Sequence, residues 1–184
     1  MNIQTTGVMC DGINQVVINM VQSENTPIVM NFPYDITGYT FEGTIDFPPT
    51  MTVDLSTYIT VGNIINCVGS ITGNILTVSG TSGDAIAVGS MIAGVNVLPQ
   101  TFITALGTGS GGVGTYTVNQ QQTVPSTALY SSVASLQLLP SQTQNIEEGQ
   151  YPFDLWTIGT ESPAVQIPVM TGFFAITDTI TVVA

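Results

Sequence analysis

The sequence predicts an all-β fold, namely a β-sandwich of the immunoglobulin-like or jelly-roll-like kind that carries a small inserted β-rich module. Helix-forming residues at 3.6-residue spacing are nearly absent, and Thr, Val, Ile, Gly and Ser take their place. Short runs of β-branched and aromatic residues recur between turn residues. Apolar residues make up 43% of the 184 residues, so the chain can bury a core and is expected to fold despite its net charge.

Seven runs are predicted as strands, because each is rich in β-branched or aromatic residues and is bounded by turn residues. They are residues 15–21, 40–46, 75–79, 101–106, 115–118, 135–139 and 173–176. Turns are predicted at 35–38, 107–114 and 147–149.

The segment 107–114, GTGSGGVG, holds five glycines in eight residues. Glycine adopts positive φ without steric cost, so the segment predicts a loose hairpin tip between TFITAL and TYTV. A phosphate-binding loop is not predicted, because the segment lacks the lysine of a P-loop and no helix is expected after it.

The composition of the chain changes near residue 68 and again near residue 131. Residues 68–131 hold one acid, Asp84, whereas the two flanking segments hold the other eleven of the twelve acids and the single Trp. We therefore predict an inserted module over 68–131 and a discontinuous sandwich domain over 1–67 plus 132–184. Insertions of this kind are tolerated at exposed loop tips.

The chain contains no Lys, Arg or His, and its formal net charge is −12. Nucleic acids and anionic membranes are bound largely through basic side chains, so neither is expected as a partner. No apolar run approaches the roughly 18 residues that span a bilayer. The first residues, MNIQTTGVMCDG, lack the basic and apolar regions of a signal peptide, which predicts synthesis in the cytoplasm.

Because no basic side chain is available, each carboxylate must be solvated, hydrogen-bonded, protonated or bound to a cation, and we expect solvation. Calcium suits oxygen ligands, but no D-x-D-x-D-G loop occurs, and a site shared between subunits stays open. The spacing of Cys10 and Cys67 fits no zinc or redox motif, which favours two buried free thiols and leaves a disulfide open. No metal site or cofactor is predicted.

Catalysis is not expected, because general acid–base chemistry would fall on Asp, Glu, Tyr or Cys alone. Glu147 and Glu148 are the one adjacent pair of acids. In a strand they would point to opposite faces, and in a turn both would be solvated. We therefore assign no catalytic residue and predict that the chain is not an enzyme.

Two aromatic segments bear on assembly. Residues 151–156, YPFDLW, could form an interface hot spot, although alternate packing into the core is favoured. Phe173 and Phe174 are expected to place one ring on each face of a sheet. Edge strands are usually protected by Lys, which is absent here, so prolines, carboxylates or a partner chain must cover them. The prolines in question include Pro48, Pro49, Pro163 and Pro168.

The central segment resembles a small β-rich module that recurs in predicted phage tail-fibre and other virion proteins. The shared pattern reads GxIxGxxLTV, AVGxxIxG, TxITAxGTGxGGxGTYTV and QTV. Here these elements are residues 69–78, 87–94, 101–118 and 122–124.

The flanking segments resemble the N-terminal β-sandwich of phage baseplate and tail-fibre adaptor proteins. This resemblance is carried by ITGYTFEGTID (36–46), EGQYPFDLWT (148–157) and MTGFFAITDTIT (170–181). Together the two resemblances imply a structural protein of the phage tail, baseplate or fibre adaptor, located in the virion and bound to other virion proteins. A homo-oligomer is expected, with a trimer favoured. The alternatives are a capsid decoration protein and a glycan-binding or glycan-cleaving spike domain.

Overall fold

The computed structural model describes residues 8–9, 15–23, 27–48 and 51–177. Within them the fold is all-β and sandwich-like, with two sheets, as the sequence predicts. The strands are β1 (Val8–Met9), β2 (Gln15–Val21), β3 (Ile28–Phe32), β4 (Thr40–Phe47), β5 (Met51–Asp54), β6 (Ile59–Gly83), β7 (Met91–Gly94), β8 (Thr101–Leu106), β9 (Gly114–Leu136), β10 (Gly149–Ile158) and β11 (Gln166–Thr177). Two short helical turns, a 3₁₀ turn (Leu55–Tyr58) and α1 (Pro140–Thr143), interrupt them. No helix in the described residues is long and apolar enough to cross a membrane.

The predicted strands agree with the observed ones in most places. Those at 15–21 and 101–106 coincide with β2 and β8, and four others lie inside longer strands. The prediction over 135–139 is wrong in its second half, because β9 ends at Leu136 and the chain enters α1 at Pro140. Proline at the first position of a helix favours that transition.

By its contacts the chain divides into two compact units. The described residues of the first fall within Met1–Met30, Gly38–Val61 and Ala134–Ala184, and the second comprises Asn31–Thr37 and Gly62–Val133. The predicted domains, 1–67 plus 132–184 and 68–131, stay a prediction.

The first unit contains a sheet with the strand order β2–β11–β10–β4–β5. Along β10 the buried side chains alternate with exposed ones, so Tyr151, Phe153 and Leu155 face the core. This confirms the expected alternate packing of residues 151–156. The Phe153 ring lies 4.7 Å from that of Phe174, and the Phe47 ring lies 4.9 Å from that of Tyr151, measured between centroids. Aromatic residues therefore form the centre of this core.

The second unit is built from antiparallel strands around a core of its own. Its strand β6 folds back on itself at Gly73, whose φ of 63° suits a two-residue hairpin turn. Ser79 Oγ donates to the Val68 carbonyl (3.1 Å) farther from that turn. β7 pairs with β8 and β9, and β8 pairs with β9. The core residues are Ile65, Cys67, Ile71, Leu76, Val78, Ile86, Ile92, Ile103, Tyr116, Val118, Val124 and Leu129.

We expect Phe174→Ala to lower the free energy of unfolding by about 3–5 kcal/mol, because its ring is fully buried against Phe153. The neighbouring Phe173 is 43% exposed, so Phe173→Ala serves as the matched control and should cost less than about 1 kcal/mol. Urea unfolding followed by the fluorescence of Trp156, the single Trp, measures both. Equal losses for the two variants would contradict the assignment of these rings to opposite faces.

Candidate functional site

The glycine-rich segment between β8 and β9 is a closed loop and not the loose tip that the sequence predicts. The backbone N–H of Thr108 donates to Thr115 Oγ1, and the N–H of Thr115 donates to Thr108 Oγ1, both at 3.0 Å. The N–H groups of Gly107 and Gly109 donate to the Thr115 carbonyl at 2.9 and 3.3 Å. These bonds join the two sides of the loop, and the predicted hairpin itself is confirmed by the antiparallel pairing of β8 with β9.

Tyr116 is the centre of this loop. Its side chain is fully buried, and its hydroxyl donates to the Gly112 carbonyl (2.6 Å) and accepts from the Gly111 N–H (3.1 Å). A Cβ at Gly109 would lie 2.4 Å from the tyrosine ring, and one at Gly114 would lie 2.4 Å from Gly109 Cα. Gly114 also has a φ of 146°. These glycines are therefore required by close contact with the ring and with each other.

The closed loop leaves few donors for a ligand. The N–H groups of Gly107, Gly109 and Gly111 are already hydrogen-bonded to groups of the loop itself. A phosphate cradle needs such groups free and convergent. The Gly, Thr and Tyr residues that distinguish the 101–118 motif therefore close a hairpin.

A groove of about 680 Å³ lies on the outer side of β4, β5 and β10 in the first unit. The strand register brings its side chains together, since Asp154 lies opposite Thr44, Trp156 opposite Glu42, and Thr44 opposite Asp54. The next exposed carboxylate of β4, Asp46, lies beside the groove, opposite Thr52 of β5. We call this surface the acidic face and define it by its four carboxylates and its indole, which belong to Glu42, Asp46, Asp54, Asp154 and Trp156.

The four carboxylates of the acidic face are exposed, and three of them accept a hydrogen bond from a hydroxyl or N–H donor of a nearby residue. Asp154 Oδ2 accepts from Trp156 Nε1 at 3.0 Å, which orients the partly buried indole. Asp54 Oδ1 accepts from the Ser56 N–H at 2.9 Å. Asp46 Oδ1 accepts from Thr52 Oγ1 at 2.6 Å. The face can therefore accept further hydrogen bonds or bind positive charge.

A second cavity, of about 450 Å³, lies in the second unit and is lined in part by Asp35, Asn66, Cys67 and Tyr130. Burial raises the pKa of Asp35, but hydrogen bonds from the Thr37 hydroxyl, the Thr37 N–H and Asn66 Nδ2 outweigh it, so the pKa is lowered and the carboxylate is ionised. Burial raises the pKa of the Cys67 thiol to about 11. The thiol is thus protonated near neutral pH and is a poor nucleophile.

The residues that the sequence singled out do not come together. Glu147 and Glu148 are both exposed in the segment before β10, as expected for a turn. Cys67 is buried and free, whereas Cys10 lies outside the described residues. No group of three or more His, Cys, Asp or Glu side chains in the described part of the chain is placed to hold a metal ion.

Of the described prolines in question, Pro168 alone lies in a strand, at a point where β11 is paired with β10 but not yet with β2. Pro48 follows β4, Pro163 lies in the connection between β10 and β11, and Pro168 lies in β11, between β2 and β10 in the sheet order. Pro168 is tolerated in β11 because it lies at a register shift and precedes the part of β11 that pairs with β2. Pro49 lies outside the described residues.

The acidic face is not predicted by the sequence alone. Alternation places Asp154 and Trp156 on one side of a strand, and Glu42 and Thr44 on one side of another. Only the pairing of β4 with β10 makes them neighbours.

No protein-family model matches the chain, and a search of curated proteins finds no similar sequence.

Tyr116→Phe is expected to lower the stability of the second unit by about 1–3 kcal/mol, because the Gly111 N–H loses its acceptor. Gly109→Ala should cost at least as much, since the new methyl group would overlap the tyrosine ring. Gly112→Ala is the control, because nothing lies within 4 Å of its Cβ position. Hydrogen exchange of β8 and β9 amides measures all three, and an unchanged exchange rate in Gly109→Ala would contradict the close contact.

In a Cys10→Ser variant, the rate at which Cys67 reacts with iodoacetamide is expected to rise with pH, and the midpoint of this rise should lie at about pH 11. At pH 8 it should be at least about 100-fold slower than that of a free cysteine, because only the thiolate reacts and its fraction is small. The same variant unfolded in urea serves as the control and should react at the ordinary rate. A native rate equal to the unfolded rate would show that the thiol is neither buried nor shifted in pKa.

Proposed function

We propose that this chain is a structural protein of a bacteriophage virion, of the tail, baseplate or fibre-adaptor kind. It is made in the host cytoplasm, acts through contacts with other virion proteins and forms a homo-oligomer, with a trimer favoured. The observation that carries this proposal is the use of the 101–118 motif, whose distinctive residues close a hairpin around Tyr116. Residues that hold a hairpin together are expected to recur in proteins that share the structural module, whatever ligands those proteins bind or reactions they catalyse.

The surface of the first unit supports a role in assembly. Val17, Phe173 and Pro152 lie side by side across β2, β11 and β10, on the outer face of the sheet. Val17 is 52% exposed and Phe173 is 43% exposed. Strand β2, QVVINMV, to which Val17 belongs, lies at the end of the sheet order and carries no charge. An apolar row that reaches an uncharged edge strand suits contact with a second copy of the chain.

The described residues also favour binding over catalysis. The glycosidase-like pair, Glu147 and Glu148, is exposed and adjacent in sequence, whereas such enzymes place two carboxylates on either side of a bound sugar. The one described thiol, Cys67, has a pKa of about 11 and lacks any His or Lys that could activate it. We therefore propose a protein that acts through its surfaces and is not an enzyme.

The copy number of the chain in purified phage particles tests this proposal. We expect a few to some dozens of copies per particle, measured by quantitative mass spectrometry against the major capsid protein. The digestion needs a protease that cuts at Asp or Glu, because the chain has no Lys or Arg. Abundance equal to that of the major capsid protein would favour the capsid decoration alternative, and absence from the particles would contradict a virion role.

A further inference from the structure

The distribution of charge over the first unit is uneven. Four carboxylates share the acidic face, whereas the other described acids of this unit, Glu147, Glu148 and Glu161, lie in connections outside the strands. On the acidic face Asp54, Thr44 and Asp154 form one row across three strands, so two like charges are separated by a single threonine. Adjacent strands lie about 4.8 Å apart, which places the two aspartates within roughly 10 Å, about one Debye length at 0.1 M ionic strength.

No side chain of this protein can relieve that repulsion, because it contains no Lys, Arg or His. Like charges held together on a sheet face oppose folding and favour association with positive charge. A binding partner that brings a cation to this face therefore gains both the new attraction and the relief of the existing repulsion.

Trp156 adds a second feature that suits a cation. Its indole is partly buried and is held by the hydrogen bond to Asp154, so its ordering costs little on binding. It lies opposite Glu42 in the register. An aromatic ring flanked by carboxylates attracts a guanidinium or ammonium group through both its face and its neighbours.

We propose that the acidic face is the docking surface for a different protein that presents Arg or Lys side chains. The inference rests on the proposed function, under which this partner is another virion protein. A second copy of the chain is excluded as the occupant, since it has no basic side chain to offer. A neutral glycan could stack on Trp156 but would leave the four carboxylates without compensation. Among the described residues, no group of three or more His, Cys, Asp or Glu side chains is placed to hold a metal ion.

The first test uses the isolated protein and a defined probe, acetyl-Arg-Gly-Arg-amide, followed by NMR. The Trp156 indole signal and the backbone signals of Glu42 and Asp154 should shift on titration. The matched peptide acetyl-Gln-Gly-Gln-amide should shift none of them. A shift on adding a neutral oligosaccharide such as maltohexaose, without a response to the arginine peptide, would overturn the proposal in favour of glycan binding.

Two variants that remove the same number of charges separate specific from general attraction. In Glu42→Gln/Asp54→Asn/Asp154→Asn the amide oxygens can still accept the bonds from Ser56 and Trp156. Its affinity for the arginine peptide should fall about tenfold, since each exposed ion pair contributes roughly two- to threefold. In Glu147→Gln/Glu148→Gln/Glu161→Gln the affinity should stay within about twofold. Equal losses in the two variants would show attraction to net charge alone and overturn the proposal.

The second test uses intact particles and a carbodiimide, which joins carboxylates directly to amines. Because the chain has no Lys, a link from the acidic face to a lysine side chain must reach a different protein. We expect Glu42, Asp54 or Asp154 linked to a lysine of one other virion protein. Links that come only from Glu147, Glu148 or Glu161 would overturn the docking surface, and the virion role would stand if the protein is present in the particles.

Discussion

The absence of every basic side chain is the constraint to which this structure adapts most visibly. A carboxylate in such a chain cannot form a salt bridge with another side chain, so its partners are hydroxyl groups, amides and water. Asp54 accepts from the Ser56 N–H at the start of the 3₁₀ turn, and Asp84 accepts from the Ile64 N–H across the two ends of the β6 hairpin. The Asp54 carboxylate thus caps a helical turn, and the Asp84 carboxylate joins the two ends of a hairpin. Neither role needs a cation.

In a chain without basic side chains, hydroxyl groups and glycines provide tertiary contacts that ion pairs cannot. Loop closure at 107–114 depends on two threonine hydroxyls, the Tyr116 hydroxyl and glycines that allow close approach. Each hydrogen bond contributes modestly, but leaving any buried N–H without its acceptor is costly. A neutral network of this kind should also depend less on salt and pH than ion pairs would. The loop at 107–114 is therefore held by neutral hydrogen bonds and close backbone contacts and not by charge.

The sequence predicted the fold class and many strands because side-chain alternation and turn residues act locally. It did not predict the closed glycine loop, because the contact of Gly109 with the Tyr116 ring depends on how the hairpin folds over its own core. Strand β10 is not among the predicted strands, although the alternation within residues 151–156 favours packing into a core. The acidic face was missed for a related reason, since Glu42 and Trp156 are far apart in sequence and become neighbours only through the register of β4 with β10.

The outer face of the five-stranded sheet is divided into two regions with opposite chemistry. Its β2–β11 side carries the exposed Val17 and Phe173, whereas its β4–β5 side carries Asp46 and Asp54. Two copies of the chain could bury the apolar region against each other, but they would repel one another at the acidic region because both would bring only negative charge. Under the proposed function, this sheet face would separate two kinds of contact, since apolar burial would select a second copy of the chain and charge would select a different protein. For a chain without cations, any favourable charge pairing with another protein requires that the other protein supply the positive side chains.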